Sequence, residues 1–158
     1  MPVLQAMQLG KQYADTAALH ALDLSVHRGE IFCLLGQNGA GKTTTINIFL
    51  GFIGASAGKA LINNVEVRPN ESATKKMIAY IPEVVQLYGN LTGIENLDFF
   101  SRLAGFCYSK DELSNFLSKA GLQNEANTKR LGNYSKGMRQ KVGIAIALAK
   151  NADVIFMD

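Results

Sequence analysis

Ile31-Phe32-Cys33-Leu34-Leu35-Gly36-Gln37-Asn38-Gly39-Ala40-Gly41-Lys42-Thr43-Thr44 is the stretch on which the fold turns. Its first five residues are all apolar and lie between Gly29 and Gly36, which predicts a strand buried on both faces, as in parallel sheets covered by helices. From about Lys42 to Leu50 the spacing predicts a helix, stopped at Gly51. Between them, Gly36 to Thr43 satisfies the pattern Gly-x-x-x-x-Gly-Lys-Thr in the order that a P-loop requires: strand, glycine-rich turn, helix. Glycine lets the backbone turn tightly and approach a ligand without Cβ clashes. Successive N–H groups then face one concavity, backed by the positive end of the helix dipole. Lys42 offers a full charge to the β- and γ-phosphates of a nucleotide, and Thr43 offers a hydroxyl to Mg²⁺. The phosphate-facing set is therefore Gly36, Asn38, Gly39, Ala40, Gly41, Lys42, Thr43 and Thr44. An ordinary glycine-rich turn is the alternative, but a chance match in a chain this long is roughly half a percent.

Working outward, Val3 to Leu9 and Leu22 to Val26 alternate apolar and polar side chains, which suits a half-buried antiparallel sheet. Gly58 to Val67 reads as a hairpin turning at Asn63-Asn64, and Ile78 to Ile81 as a short strand stopped by Pro82. From about Thr92 the texture is helical. Ile94, Leu97, Phe100, Leu103 and Ala104 share one face, and Leu113, Phe116, Leu117 and Ala120 another. Lys136 to Lys150 repeats apolar residues at Val142, Ile144, Ala145 and Leu148. Val154 to Met157 is an apolar strand ending in the carboxylate of Asp158, the residue type needed to hold the hydration shell of Mg²⁺.

The chain has 158 residues and a net charge of +3, enough for one domain with a sizeable core. Charge is spread thinly; the longest basic cluster, Arg139-Gln140-Lys141, reads as a solvated helix face, and no nucleic-acid partner is expected. No apolar run approaches the ~20 residues that cross a bilayer. The N-terminus lacks the charged and apolar regions of a signal peptide. Cys33 and Cys107 fit no metal or disulfide framework and read as two reduced, buried thiols.

A third element separates the P-loop classes. Tyr134-Ser135-Lys136-Gly137-Met138-Arg139-Gln140-Lys141 opens a helix about twenty residues before Asp158. It resembles the Leu-Ser-Gly-Gly-Gln signature of ABC transporter nucleotide-binding domains, with Ser135 and Gly137 kept, Lys136 in place of the first glycine and Met138 in place of the glutamine. That form, with Asn90-Leu91-Thr92 and Glu95-Asn96-Leu97, looks like bacterial exporter ATPases of the drug, antibiotic and sodium-efflux type. The resemblance covers essentially the whole chain. It implies an α/β fold: a P-loop NTPase (RecA-like) core, an N-terminal antiparallel β-subdomain and an α-helical subdomain, with the C-terminal strands of the core missing. The divisions expected are about 1–87 for β-subdomain and core, about 88–150 for the helical subdomain with the signature, and 151–158 for the last strand.

The resemblance also assigns roles. Tyr13 falls where the family stacks an aromatic on adenine. Glu83 falls at the position of the Q-loop glutamine, where its oxygen meets Mg²⁺ or the attacking water. Lys42, Glu83 and Asp158 are the catalytic candidates, and Thr43, Glu83 and Asp158 the metal ligands. Ser135 and Gly137 would face the γ-phosphate on a second ATP-binding domain packed head to tail, the two domains clamping two ATP molecules. The helical subdomain around Phe99, Phe100 and Phe106, with the Q-loop segment, would form the groove for membrane-spanning subunits, at the cytoplasmic face of the membrane.

In this family a glutamate follows the last aspartate, and a switch histidine lies further on; His20 and His27 match neither position. Losing such a base costs ~10²–10⁴-fold in rate, so the expectation is nucleotide binding with poor hydrolysis. The strand that in this family lies between the P-loop strand and the one ending at Asp158 would also be missing, leaving aggregation-prone edges. Three other readings stand beside the exporter. A soluble ABC ATPase acting on ribosomes or DNA would carry a tandem domain, arm insertions or a basic stripe. A GTPase would carry a guanine-reading Asn/Thr-Lys-x-Asp motif, and a small-molecule kinase lacks the Ser-x-Gly helix start. The last is a nucleotide-binding fragment without turnover.

Overall fold

The alternation in the first third becomes an antiparallel sheet in the computed structural model, which describes residues 1–69 and 71–158. Strand β1 (Leu4–Tyr13) pairs with β2 (Thr16–Val26), Leu4 opposite Val26 and Tyr13 opposite Thr16. Its other edge pairs with β3 (Ala57–Ile62), which turns back into β4 (Val65–Glu66), for a strand order of β2-β1-β3-β4. The β3–β4 turn is Asn63-Asn64, with φ of 47° and 64°. Two successive left-handed residues are what a two-residue hairpin needs, and asparagine tolerates them better than most side chains. Register shifts between Ala6 and Leu9 re-phase β1, so that Leu4, Ala6 and Leu9 are all buried although their spacing is not strictly two.

Helix α1 (Lys42–Phe49) packs on β2 and β3 and buries Ile48 and Phe49. It ends where the sequence places its stop: Gly51, at φ 69°, donates its N–H to Ile48 O at 3.0 Å. Ile31 to Leu35 corrects the expectation of a strand buried on both faces. It joins no sheet among the described residues, and Ile31 and Leu35 are 97% and 89% exposed. Apolar composition makes a strand possible, but a strand exists only where a neighbouring backbone takes its hydrogen bonds. The reading of the cysteines is corrected with it, since Cys33 and Cys107 are both exposed.

The chain divides into two units, Met1–Ile78, described above, and Ala79–Asp158. In the second, β5 (Ile78–Ile81) pairs with β6 (Val154–Met157), and three helices form the bulk: α2 (Gly93–Leu103), α3 (Lys110–Lys119) and α4 (Lys136–Ala149). Their shared core is Leu97, Leu113, Leu117, Leu131, Val142 and Ala145, with Tyr134 sealed beside it. On its other side α4 meets β5 through Ala147, against Ala79 and Ile81. Small residues on α4 let it be covered from two directions, which is why its apolar positions do not form one stripe. Leu103 departs from the face read for α2; it is 73% exposed, the packed part of that face ending a turn earlier.

Helices α2 and α3 both begin with a capping box. Thr92 accepts from Glu95 N and Glu95 from Thr92 N, and Ser109 and Glu112 repeat the arrangement. The loop before α2 is held by Asn96, which is fully buried: its Oδ1 accepts from Tyr88 N at 2.9 Å and its Nδ2 donates to Tyr88 O and Thr92 O. We expect Asn96→Ala to cost about 1–3 kcal/mol in denaturant unfolding and to expose the Tyr88 amide to hydrogen exchange. A pH dependence follows from the two boxes. The backbone N–H of Thr92 holds the Glu95 carboxyl below its ordinary value of 4.5, and Ser109 does the same for Glu112. Their contribution is therefore present above that value and lost as pH falls through the lower folded values. Amide protection at the starts of α2 and α3 should drop together below about pH 4.5.

Candidate nucleotide-binding site

The loop from Gly36 to Thr43 closes on itself through its lysine. Lys42 Nζ donates to Gly36 O at 2.6 Å and to Gln37 O at 2.7 Å. The loop also carries a turn, Ala40 N to Gln37 O at 3.1 Å. Gly39 and Gly41 have φ of 87° and 85°, the left-handed region that side chains avoid. Gly41 is also needed for space: a Cβ there would stand 2.6 Å from Ala18 O and 3.2 Å from Leu19 Cδ1. At Gly36 a Cβ would stand 3.0 Å from that of Ala40. Helix α1 starts from this loop with Gly41 as its N-cap, no side-chain cap and no acidic residue in its first turn. The N–H groups of that turn have no carbonyl four residues back to receive them. Thr43 is exposed, Thr44 half-buried, and Thr45 folds back to donate to Gly41 O at 2.8 Å. A cradle of glycines, a helix start without an acid and one ammonium suit a polyphosphate anion. Tyr13 ends β1, about half-exposed, with Lys11 Nζ 5.1 Å from its ring centroid.

In the second unit, Tyr134 is buried and its hydroxyl donates to Ala126 O, while Ser135 beside it is exposed and caps α4 by accepting from Met138 N at 3.2 Å. Gly137 is open, nothing but Ser135 Oγ at 4.0 Å standing where its Cβ would be. Glu83 follows β5 as an exposed side chain and meets Lys136 Nζ at 3.6 Å. Asp158 follows β6; its N–H donates to Ile81 O at 3.0 Å, and its Oδ2 accepts from the Tyr80 hydroxyl at 3.3 Å. Partial burial and the Asp158 carboxylate both push the Tyr80 hydroxyl above its ordinary range, so it stays a donor.

The loop residues 36–44 and Tyr13 thus lie in the first unit, and Glu83, Ser135, Gly137 and Asp158 in the second. Among the described residues no three His, Cys, Asp or Glu side chains cluster. Thr43 in the first unit carries a hydroxyl, and Glu83 and Asp158 in the second carry carboxylates, donor types that Mg²⁺ takes beside phosphate oxygens rather than in an all-protein cage. Two cavities among the described residues, of about 440 Å³ around Gly10 and His20 and about 320 Å³ around Phe100 and Lys150, contain none of the loop residues. Sequence reasoning did not single out Tyr80 as a neighbour of Asp158, because that contact depends on which strand β6 pairs with. It also treated Lys136 only as a departure from a motif.

Comparison with known proteins adds three findings. The sequence profile described as ABC transporter matches residues 19–158. The bacitracin transport ATP-binding protein BcrA of Bacillus licheniformis is 35% identical over 99% of this chain, and the Nod factor export ATP-binding protein I of Cupriavidus pinatubonensis is 34% identical over 99%. The chain spans 50% and 48% of those two proteins. A solved ATP-binding cassette, dimeric in a post-hydrolysis state with ADP and Pi, superimposes with a TM-score of 0.80 at 24% identity, covering 98% of this chain and 73% of its own. That likeness shows the fold. No helix among the described residues is long and apolar enough to cross a membrane.

The loop geometry makes a differential prediction. Gly39→Ala meets nothing within 4 Å and should cost only the left-handed strain, about 1–2 kcal/mol. Gly41→Ala adds a backbone collision and should lower the thermal midpoint further and weaken nucleotide binding more. Equal midpoints for the two variants would contradict the geometry.

Proposed function

The chain belongs to the ABC transporter family of ATP-binding domains, and from that premise we propose that it is the nucleotide-binding module of an exporter, binding the Mg-ATP that the whole protein hydrolyses. The observation that carries the reading is the loop from Gly36 to Thr43 with the Lys42 ammonium folded over its carbonyls. In that arrangement the ammonium is held by two carbonyl acceptors that a phosphate oxygen can replace. The left-handed glycines and the start of α1 supply N–H groups with little side chain in the way. Thr43 offers its exposed hydroxyl to the metal, and Thr44 lies beside it.

Mg²⁺, when bound, neutralises β- and γ-phosphate oxygens and fixes their geometry. Thr43, Glu83 and Asp158 are the residues that would hold it, Asp158 through the carboxylate that Tyr80 orients. Tyr13 would take adenine on its ring, sharing the site with Lys11. Ser135 and Gly137 would present the start of α4 to the nucleotide of a second ATP-binding domain, head to tail. A dimeric cassette among the structural relatives supports the pairing. Export, rather than import, is supported by relatives whose names include bacitracin transport and Nod factor export. A membrane subunit at the cytoplasmic face would dock on the aromatic surface of α2 and the preceding loop, where the Tyr88 and Phe99 rings meet edge to face at 5.1 Å and both are exposed. Exposed aromatics at the edge of a packed unit are the side chains that anchor partners.

Replacement of Lys42 by alanine is the decisive measurement. Charge-assisted hydrogen bonds contribute about 1.5–3 kcal/mol each, so affinity for Mg-ATP should fall by about tenfold or more, with helix content unchanged. An unchanged affinity in equilibrium titration would remove the basis of the proposal.

A further inference from the structure

Helix α4 breaks a rule that its neighbours keep. Glu95 stands in the first turn of α2, and Asp111 and Glu112 in that of α3, where carboxylates favour the dipole. The first turn of α4 has no acid and opens on a lysine, Lys136, whose charge opposes the dipole. A carboxylate from another segment answers that lysine: Glu83, just after β5, lies 3.6 Å from Lys136 Nζ, and both side chains remain largely exposed. Two residues on, Val85 packs beside Ala79, Ile81 and Ala147, and its methyl groups lie 3.2 Å from where a Cβ on Gly143 would stand. The segment after β5 is therefore fastened to α4 at two points, one ionic at the helix start and one apolar two turns along.

We propose that Lys136 is a positioning residue for Glu83. The ion pair and the seat of Val85 on Gly143 make the Glu83 carboxylate and the Ser135-capped start of α4 move as one body. Its consequence rests on the function proposed above: the carboxylate facing one nucleotide and the helix start facing the partner's nucleotide would not shift independently. The geometry itself does not depend on that reading.

The test is hydrogen exchange of the full-length protein, without nucleotide, at amides 83–87 and 135–139. At low salt, Lys136→Met should raise exchange at both segments by about two- to fivefold, the range of an exposed pair. Lys136→Arg should leave it near the parent value, and the charge swap Glu83→Lys with Lys136→Glu should restore most of the loss. About 1 M salt should bring the parent to the level of Lys136→Met, because screening at that strength acts within ~3 Å. Val85→Ala should loosen the same segments without salt dependence. Exchange in Lys136→Met equal to the parent at low salt, or no recovery in the charge swap, would overturn the proposal. That failure is separate from failure of nucleotide binding, which the Lys42 variant reads alone.

Discussion

The four α-helices among the described residues must dispose of the N–H groups that open them, and how each does so organises the rest of the molecule. Those groups have no partner within the helix, so a side chain, water or a ligand must meet them. Helices α2 and α3 meet theirs internally, with Thr92 and Glu95 and with Ser109 and Glu112. Helix α4 has only the Ser135 hydroxyl, and α1 has no side-chain cap at all. The two helix starts that carry no acid are the two whose sequences match phosphate-contacting motifs. Internal carboxylates would compete with an anion there, and their absence leaves the positive end of each dipole available.

The same division separates packing from chemistry. The residues that build the helical core are mostly apolar, and one of its buried asparagines, Asn96, serves the loop before α2. The candidate chemistry sits outside that core, on Thr43, Glu83, Ser135 and Asp158, all exposed. Tyr134 and Ser135 show the boundary within one dipeptide: the tyrosine is sealed into the core while the serine faces outward. A short motif can thus be both a structural anchor and a binding surface, because adjacent residues before a helix point in different directions.

Much of this was legible in the residues. The alternation from Val3 to Leu9 led to a strand of the antiparallel sheet, Asn63-Asn64 to a hairpin turn, and Gly51 to the end of α1, each for a local reason that needs no distant partner. The glycine-rich turn ahead of α1 was legible for the same cause, since its left-handed glycines and its lysine act within eight residues. What was not legible depended on partners. Ile31 to Leu35 has the composition of a buried strand but no described neighbour to bond with, and Cys33 is exposed along with it. Leu103 lies on the apolar face of α2 by spacing, yet the surface it would pack against ends before it.

By itself the sequence determined where α1 stops, which glycine-rich turn precedes it, and which family the pattern belongs to, because these follow from backbone conformation and side-chain chemistry at short range. Only the tertiary structure decided that Tyr80 reaches Asp158, that Glu83 reaches Lys136, and that Lys42 folds back over its own loop. Two of those contacts join residues far apart in the chain, and their existence depends on strand pairing and helix packing that no local pattern encodes. The third is local, but which carbonyls the ammonium meets depends on the folded path of the loop from Gly36 to Lys42.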